Sequence, residues 1–231
     1  MYRHTNWLIL LFLTLLPLLA FSVTGSHKTP LSHLNQIYRN HRFTFFCDQP
    51  FSAKNEVTFQ PCSHCPTITK KIQWMPIVPL WQLAQHLNCY QEKTCINSKG
   101  QTFKGLRCCQ QVNSTYQQMS VDLHNFAPEI PLLRQQRRRF TFGLVSDQKR
   151  NQASCHLYID QKQKCIEPAP EIRGIIARTY LYMRDTYHFP LSEKEAALFL
   201  AWHQEYPVSE WERERNKMIQ TLQGKGNRYI S

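Results

Sequence analysis

Three shortages in the 231-residue sequence exclude whole classes of protein. Only seven glycines occur, 42% of the residues are hydrophobic, and no segment is repeated, which argues against a fibrous or disordered chain. After the first 25 residues no apolar run is long enough to span a bilayer. Acidic residues are also few, with 16 Asp and Glu against 28 Lys and Arg. The sequence therefore predicts a packed globular domain with a strong positive charge.

The excess of positive charge indicates the kind of partner. The formal net charge is +12, and it falls only to +11 without residues 1–25, because Arg3 is their only charged side chain. A surplus of this size suits a polyanion, either nucleic acid or an anionic membrane surface with its lipid headgroups. An acidic protein is the third class of partner.

Residues 1–25 have the organisation of a signal peptide. A short basic start is followed by an almost wholly apolar run over residues 7–22 and then by small residues up to Ser26. The run is shorter than the ~20 residues that a spanning helix needs, and Pro17 interrupts it, so a retained membrane anchor is the weaker interpretation. The mature chain, residues 26–231, is therefore predicted to be exported.

All nine cysteines follow this segment, and an oxidising compartment favours disulfides between them. Because nine is odd, at least one thiol stays free or joins two chains in a disulfide-linked dimer. The spacing does not fix which cysteines pair. Cys62 and Cys65 have the C-x-x-C spacing of zinc ligands, but no second pair stands at the spacing of a zinc finger. The nine are Cys47, Cys62, Cys65, Cys89, Cys95, Cys108, Cys109, Cys155 and Cys165.

The residue pattern predicts that the mature chain is a mixed single domain of α+β class with a helical C-terminal third. Apolar residues recur at helical spacing over residues 172–187. Two Ser-x-x-Glu segments, at 192–195 and 209–212, are typical of helix starts at which each side chain caps the other residue's backbone. Short β-favouring runs, including 43–47 and 155–159, supply the strands.

Several segments form a pattern that is seen in one known family. They are Trp74-Met-Pro-Ile-Val-Pro-Leu-Trp81, Gly105-Leu-Arg-Cys-Cys109, Asp122-Leu-His-Asn125, the segment Arg173–Met183, and the ending Tyr206–Arg215 with Gln223 and Gly224. Together they resemble bacterial endonuclease I. This family consists of exported, periplasmic or secreted, disulfide-bonded nucleases without sequence preference. The resemblance implies an endonuclease I domain with a ββα-metal (His-Me finger) substructure, which hydrolyses DNA and RNA with one divalent metal, usually Mg²⁺.

The positions that carry the family's chemistry hold residues that cannot perform it. In the family's Trp-Glu-His-Val-Val-Pro-Ala-Trp motif, Glu binds the metal and His is the general base, and these fall on Met75 and Pro76. The family's arginine falls on Leu106, beside Arg107, and its metal-binding Asn falls on Arg134. Mg²⁺ does not prefer a soft thioether ligand, proline has no basic side chain, and a guanidinium repels a cation. No cofactor and no metal site are therefore expected.

These substitutions, taken with the resemblance, predict a pseudo-nuclease that keeps the scaffold and binds nucleic acid with little or no hydrolysis. Two alternatives remain. In the first, a rebuilt site that uses His124 and Glu129 makes the protein an active DNA and RNA endonuclease. In the second, the chain is a protein-interaction module of the cell envelope or secretome, and its basic surface meets an acidic protein or lipid headgroups.

Basic residues in two segments are candidates for binding double-stranded DNA or RNA without sequence preference. A solvated run of surface charge is the alternative explanation for such a cluster. Arg134 stands where the family holds its metal, and a guanidinium there neutralises a phosphate without a cation, which predicts binding that persists in EDTA. The candidates are Lys99, Lys104, Arg107, Arg134, Arg137, Arg138 and Arg139.

Overall fold

The computed structural model describes residues 31–60, 67–137, 139–146, 151–152, 155 and 157–230. The predicted signal peptide, the Cys62 and Cys65 pair and Arg138 lie outside these residues, as does the side chain of Arg134. Within the described residues, no helix combines the length and the apolar character that crossing a membrane requires.

Short helices and short strands alternate up to residue 167, and three longer helices follow. The helices are α1 (Leu31–Ile37), α2 (Leu80–Ala84), α3 (Asn88–Gln91), α4 (Leu106–Val112), α5 (Ser114–Met119), α6 (Pro131–Arg137), α7 (Pro170–Tyr187), α8 (Glu193–Glu205) and α9 (Glu210–Gln223), with a 3-10 turn, η1, at Leu123–Asn125. The strands are β1 (Glu56–Phe59), β2 (Ile68–Lys71), β3 (Gln73–Pro76), β4 (Cys95–Ile96), β5 (Thr102–Phe103), β6 (Phe126–Glu129), β7 (Thr141–Phe142), β8 (Asn151–Gln152), β9 (Tyr158–Asp160) and β10 (Cys165–Glu167).

The described strands form four small sheets. Three are antiparallel pairs, β1 with β2, β3 with β6 and β4 with β5, and the fourth has the order β7-β10-β9-β8 with β7 and β10 parallel. The predicted α+β class with a helical C-terminal third is therefore confirmed. The predicted strand at 43–47 is wrong: Phe43 makes an isolated bridge to Pro50, and the chain turns at Asp48, which has a φ of 48°.

The long helix α7 supplies the centre of the C-terminal core. Its predicted span over residues 172–187 is confirmed, with Pro170 at the first helical position, where a proline loses no hydrogen bond, and His188 in the left-handed region at the end. Tyr180 and Met183 are almost fully buried on α7, and Tyr180 stacks on Phe199 of α8 with ring centroids 4.2 Å apart.

The two predicted helix starts differ in how they are capped. At Ser192 both halves of the capping box form, since Glu195 also accepts the backbone N–H of Ser192. At Ser209 the hydroxyl accepts the Glu212 N–H at 3.1 Å, but the Glu212 carboxylate is occupied elsewhere. It is buried and accepts two hydrogen bonds of 2.6 Å from Arg178 of α7. The reciprocal half of the second box is lost because this carboxylate joins α9 to α7 instead.

Three disulfides lie among the described residues, which confirms the predicted disulfide-bonded domain. Cys47 pairs with Cys155 across 108 residues, so it ties the N-terminal part of the domain to the sheet that contains β9. Two further bridges, Cys89–Cys109 and Cys95–Cys108, close the segment between α3 and α4. Cys165 is a free, half-buried thiol within the described residues. A dimer through this thiol stays a prediction.

The buried Arg178–Glu212 pair predicts a large loss of stability when one partner is removed. In Arg178→Met, the buried Glu212 carboxylate loses its ion-pair partner, and we expect the free energy of unfolding to fall by about 3–5 kcal/mol. Urea unfolding of the mature protein measures this. Arg228→Gln is the matched control, because Arg228 also pairs with a carboxylate, that of Asp185, but its side chain is 71% exposed. Equal losses of unfolding free energy in the two variants would show that the buried Arg178–Glu212 pair stabilises the fold no more than an exposed pair does.

Candidate functional site

The strand pair β3–β6 positions the two residues that are expected, from the resemblance, at the family's metal-ligand and general-base positions. Met75 lies opposite Ala127 and Pro76 lies opposite Phe126. The ladder continues past Pro76, because the Ile77 N–H donates to the Asn125 carbonyl at 2.7 Å and the Asn125 side chain bonds both the N–H and the carbonyl of Val78. Met75 is consequently held inside the protein, with 9% of its surface exposed.

Helix α4 brings the third family position to the same place. Leu106 is the first residue of α4, and Gly105 turns the chain into that helix with a φ of 100°, a value that suits glycine. Leu106, Met75 and Pro76 line one pocket of about 390 Å³. Besides Gln73 and Arg137, the lining is apolar or aromatic: Trp74, Met75, Pro76, Pro79, Leu80, Trp81, Leu106 and Phe126. The sequence-predicted positions therefore converge, and they converge on a pocket that lacks a carboxylate and an imidazole.

This lining does not fit the family's metal. Mg²⁺ is bound by oxygen ligands in an octahedral arrangement, and the family's ligand position presents a thioether here. The remaining charged group of the lining, Arg137, is a cation. Among the described residues, no cluster of three or more His, Cys, Asp or Glu side chains is arranged to hold a metal ion.

Arg137 was predicted to bind phosphates of a nucleic acid, but its guanidinium lies in the protein interior. Arg137 is 5% exposed, and it donates to the carbonyls of Pro76 at 3.3 Å and Ile77 at 3.0 Å. The rings of Phe46 and Phe142 each lie with their centroid 5.0 Å from the guanidinium carbon. Burial lowers the pKa of Arg137. The expected surface phosphate ligand is thus a structural cation that holds the end of β3 on α6.

Glu129 is one of the two residues that were predicted to form a rebuilt catalytic site. Its carboxylate is hydrogen-bonded to backbone N–H groups. It is 1% exposed, and its two oxygens accept the N–H groups of Phe46 at 2.8 Å and Ile130 at 2.6 Å. Burial raises the pKa of Glu129 to about 7, against the opposing effects of these N–H groups and of Arg137. Glu129 does not line the pocket that contains Met75. Its contacts are those of a structural carboxylate.

His124, the other replacement candidate, is also buried away from that pocket. Its Nε2 pairs with the Lys225 carbonyl at 3.1 Å, and its ring packs on Tyr182 with centroids 4.5 Å apart. The neighbouring Asp122 accepts the hydroxyls of Tyr182 at 2.8 Å and Tyr187 at 2.6 Å. Burial lowers the pKa of His124 to about 4, so its ring is neutral in the folded protein at pH 7.

The remaining described candidates for phosphate binding are exposed. Lys99 lies in the predicted 97–100 turn, where the Asn97 side chain accepts the Lys99 N–H at 2.9 Å. Lys104 donates to the Gln91 carbonyl at 2.7 Å, and Arg107 lies 5.7 Å from the centre of the Phe103 ring. Arg139 is exposed beyond the end of α6. The two disulfides of the α3–α4 segment hold the first three of these charges on a rigid support.

The pocket also contains residues that no sequence argument selected. Gln73 and Phe126 reach it through the register of β3 on β6, which pairs residues that are 50 to 56 positions apart. Pro79 and Trp81 also line the pocket and belong to the segment 74–81, which carries part of the family resemblance. That segment is the sequence signal that could have indicated them, because the pocket is built around its first half and the start of α2.

Fold and pocket together define a disulfide-bonded α+β domain whose central strand pair borders an apolar cleft. Residues 39–231 match the family model of Endonuclease I. The chain is 32% identical over 205 residues to an Endonuclease-1 of Buchnera aphidicola subsp. Acyrthosiphon pisum (strain APS), covering 84% of this chain and 76% of that protein. It is 30% identical over 238 residues to a periplasmic deoxyribonuclease of Aeromonas hydrophila, covering 93% and 94%.

An extracellular deoxyribonuclease of Aeromonas hydrophila is 30% identical over 208 residues, covering 85% of this chain and 84% of that protein. The chain belongs to the endonuclease I family. The expected family and the expected exported location are confirmed, since relatives named by their location are periplasmic or extracellular. Its membership of this family makes this chain a nuclease-type protein.

The buried neutral His124 predicts a specific pH dependence of stability. The unfolded chain binds a proton at this position near pH 6.5, whereas the folded chain binds it only near pH 4, so the unfolding free energy falls as the pH drops between these values. The loss amounts to about 3 kcal/mol. Glu129 acts in the opposite direction, because its raised pKa favours the protonated, folded form as the pH falls from about 7.

His124→Gln separates the two contributions. The Gln amide replaces the Nε2 donor to the Lys225 carbonyl but does not titrate, so the variant keeps only the Glu129 contribution. We expect urea unfolding to show that the wild type loses stability relative to the variant as the pH falls from 7 to 4. Parallel stability curves for the two proteins would contradict a neutral buried His124.

Proposed function

We propose that this protein is an exported member of the endonuclease I family that binds nucleic acid and has lost phosphodiester hydrolysis. One observation supports the proposal: Met75, Pro76 and Leu106, which the sequence resemblance assigns to the positions of the metal ligand, the general base and the catalytic arginine, line one pocket together. Loss of a general base alone lowers a rate by about 10²- to 10⁴-fold, and loss of metal-ion catalysis removes several kcal/mol more of transition-state stabilisation. No cofactor is required for the proposed function.

The basic residues support binding rather than chemistry. Lys99, Lys104 and Arg107 present charges on a segment stapled by two disulfides, and this segment leads directly into Leu106 at the pocket. Arg134 lies on α6, the helix whose last residue, Arg137, lines the same pocket. Guanidinium groups pair with phosphate oxygens without a metal. The proposed ligand is DNA or RNA bound through its backbone, without sequence preference.

The contacts of His124 and Glu129 count against a rebuilt catalytic centre. Both side chains are buried and hydrogen-bonded to backbone groups, and neither lines the pocket that holds the family positions. The competing function, a protein-interaction module, rests on the basic surface alone. No contact among the described residues favours an acidic protein or a lipid over a nucleic acid.

The first prediction of this proposal is binding without cleavage. Purified mature protein is incubated with supercoiled plasmid, in Mg²⁺ and separately in EDTA, and both samples are run on one gel. We expect retardation of the plasmid in both conditions, because no metal takes part, and no conversion to nicked or linear forms. Added salt is expected to release the DNA. Mg²⁺-dependent cleavage would contradict the proposal, and absence of retardation would favour a protein partner.

The second prediction assigns the binding to the basic segment. The triple variant Lys99→Gln, Lys104→Gln, Arg107→Gln is expected to bind duplex DNA more weakly and with a smaller salt dependence, the slope changing by about 0.9 per lost phosphate contact. A triple variant of exposed residues on α8 and α9, Lys194→Gln, Arg213→Gln and Lys217→Gln, removes the same charge elsewhere. Fluorescence anisotropy measures both. Equal weakening in the two variants would show that only net charge matters.

A further inference from the structure

The pocket that replaces the family's catalytic site has the composition of a site for a flat, apolar group. Eight of its ten lining residues are apolar or aromatic, and Trp74, Trp81 and Phe126 contribute rings. Its volume of about 390 Å³ lies within the ordinary range of small-ligand pockets, which is roughly 300–1,000 Å³. No carboxylate lines this pocket, so an apolar ring enters it without having to desolvate an anion.

Trp81 is the ring most available to a ligand. Trp74, Trp202 and Trp211 each lie within 6.4 Å of another aromatic ring, centroid to centroid, but Trp81 stacks on no ring among the described residues. Its indole N–H likewise has no hydrogen-bond acceptor among those residues. Trp81 therefore lines the pocket without a ring partner and without a partner for its indole N–H among the described residues.

Positive charge borders this apolar surface. Arg107 directly follows Leu106 on α4 and is exposed, whereas the guanidinium of Arg137 in the pocket wall is held by the Pro76 and Ile77 carbonyls. An occupant that joins a flat ring to a phosphate satisfies both features. Nucleobases stack on aromatic side chains with little dependence on sequence, since every base has a π-face.

We propose that this pocket receives a base of single-stranded nucleic acid, which stacks on Trp81 while its flanking phosphates meet the basic residues of the α4 segment. This inference rests on the proposed nucleic-acid binding and specifies it further. In a duplex the bases are paired and stacked, so a duplex delivers a base to the pocket only after it unpairs. The protein therefore prefers single strands, and the preference resides in the pocket and not in the surface charges.

Binding of three labelled probes to the mature protein tests this. They are an oligothymidylate, an abasic strand of the same length, and a duplex, each measured by fluorescence anisotropy in EDTA. The wild type is expected to bind the oligothymidylate about tenfold more tightly than the abasic strand, the size of one base–aromatic contact. Trp81→Leu is expected to remove this difference and to leave affinity for the abasic strand unchanged. Binding of the oligothymidylate is also expected to quench tryptophan fluorescence in the wild type but not in Trp81→Leu.

A second variant tests the pocket independently, in case Trp81→Leu does not fold. Leu106→Glu places a carboxylate at the pocket, and Gln111→Glu makes the same charge change at an exposed position of the same helix. Leu106→Glu is expected to weaken the oligothymidylate more than the abasic strand, whereas Gln111→Glu weakens both equally. Equal wild-type affinities for the oligothymidylate and the abasic strand would overturn the base-binding proposal. If the duplex is still bound in that case, the proposed function stands; if no probe is bound, both fall.

Discussion

Buried backbone carbonyls on both flanks of the β3–β6 ladder are paired with guanidinium groups, and the rest of the site depends on this pairing. Arg137 donates hydrogen bonds to the carbonyls of Pro76 and Ile77 where β3 ends. Arg215, from α9, donates to the carbonyls of Leu123, His124 and Phe126. A buried carbonyl without a donor costs free energy comparable to a lost hydrogen bond. These two arginines therefore fix where the short strands lie, and the strands fix the pocket.

The C-terminal helices could be predicted from the sequence because their determinants are local. Pro170 before α7, the serine caps of α8 and α9, and Gly224 in the left-handed region after α9 all act within a few residues of the helix end. The fate of Glu212 could not be predicted in this way. The Glu212 carboxylate can cap α9 locally or pair with Arg178, which is 34 positions away in the sequence. It forms the buried ion pair with Arg178.

In the candidate site, too, some features could be predicted from local sequence, and others depend on contacts between residues that are far apart in the chain. The segment 74–81, read without a gap, predicts that Met75 and Pro76 stand at two of the family's catalytic positions, and the segment 105–109 predicts the same for Leu106. These three residues line one pocket. Nothing in the run from Arg134 to Arg139 indicates that Arg137 is buried. Its burial depends on the positions of Phe46, Phe142 and the end of β3. Composition predicts that such a run binds anions, but packing places the guanidinium of Arg137 in the interior.

The substitutions at the family positions also bear on stability. A carboxylate at the position of Met75, at 9% exposure, needs a cation or several donors to offset its desolvation. A thioether at the same position lies opposite Ala127 without such a requirement, and Arg137 pairs the nearby carbonyls from within the chain. An apolar side chain at position 75 therefore stays buried without any charged partner, because it has no charge to desolvate.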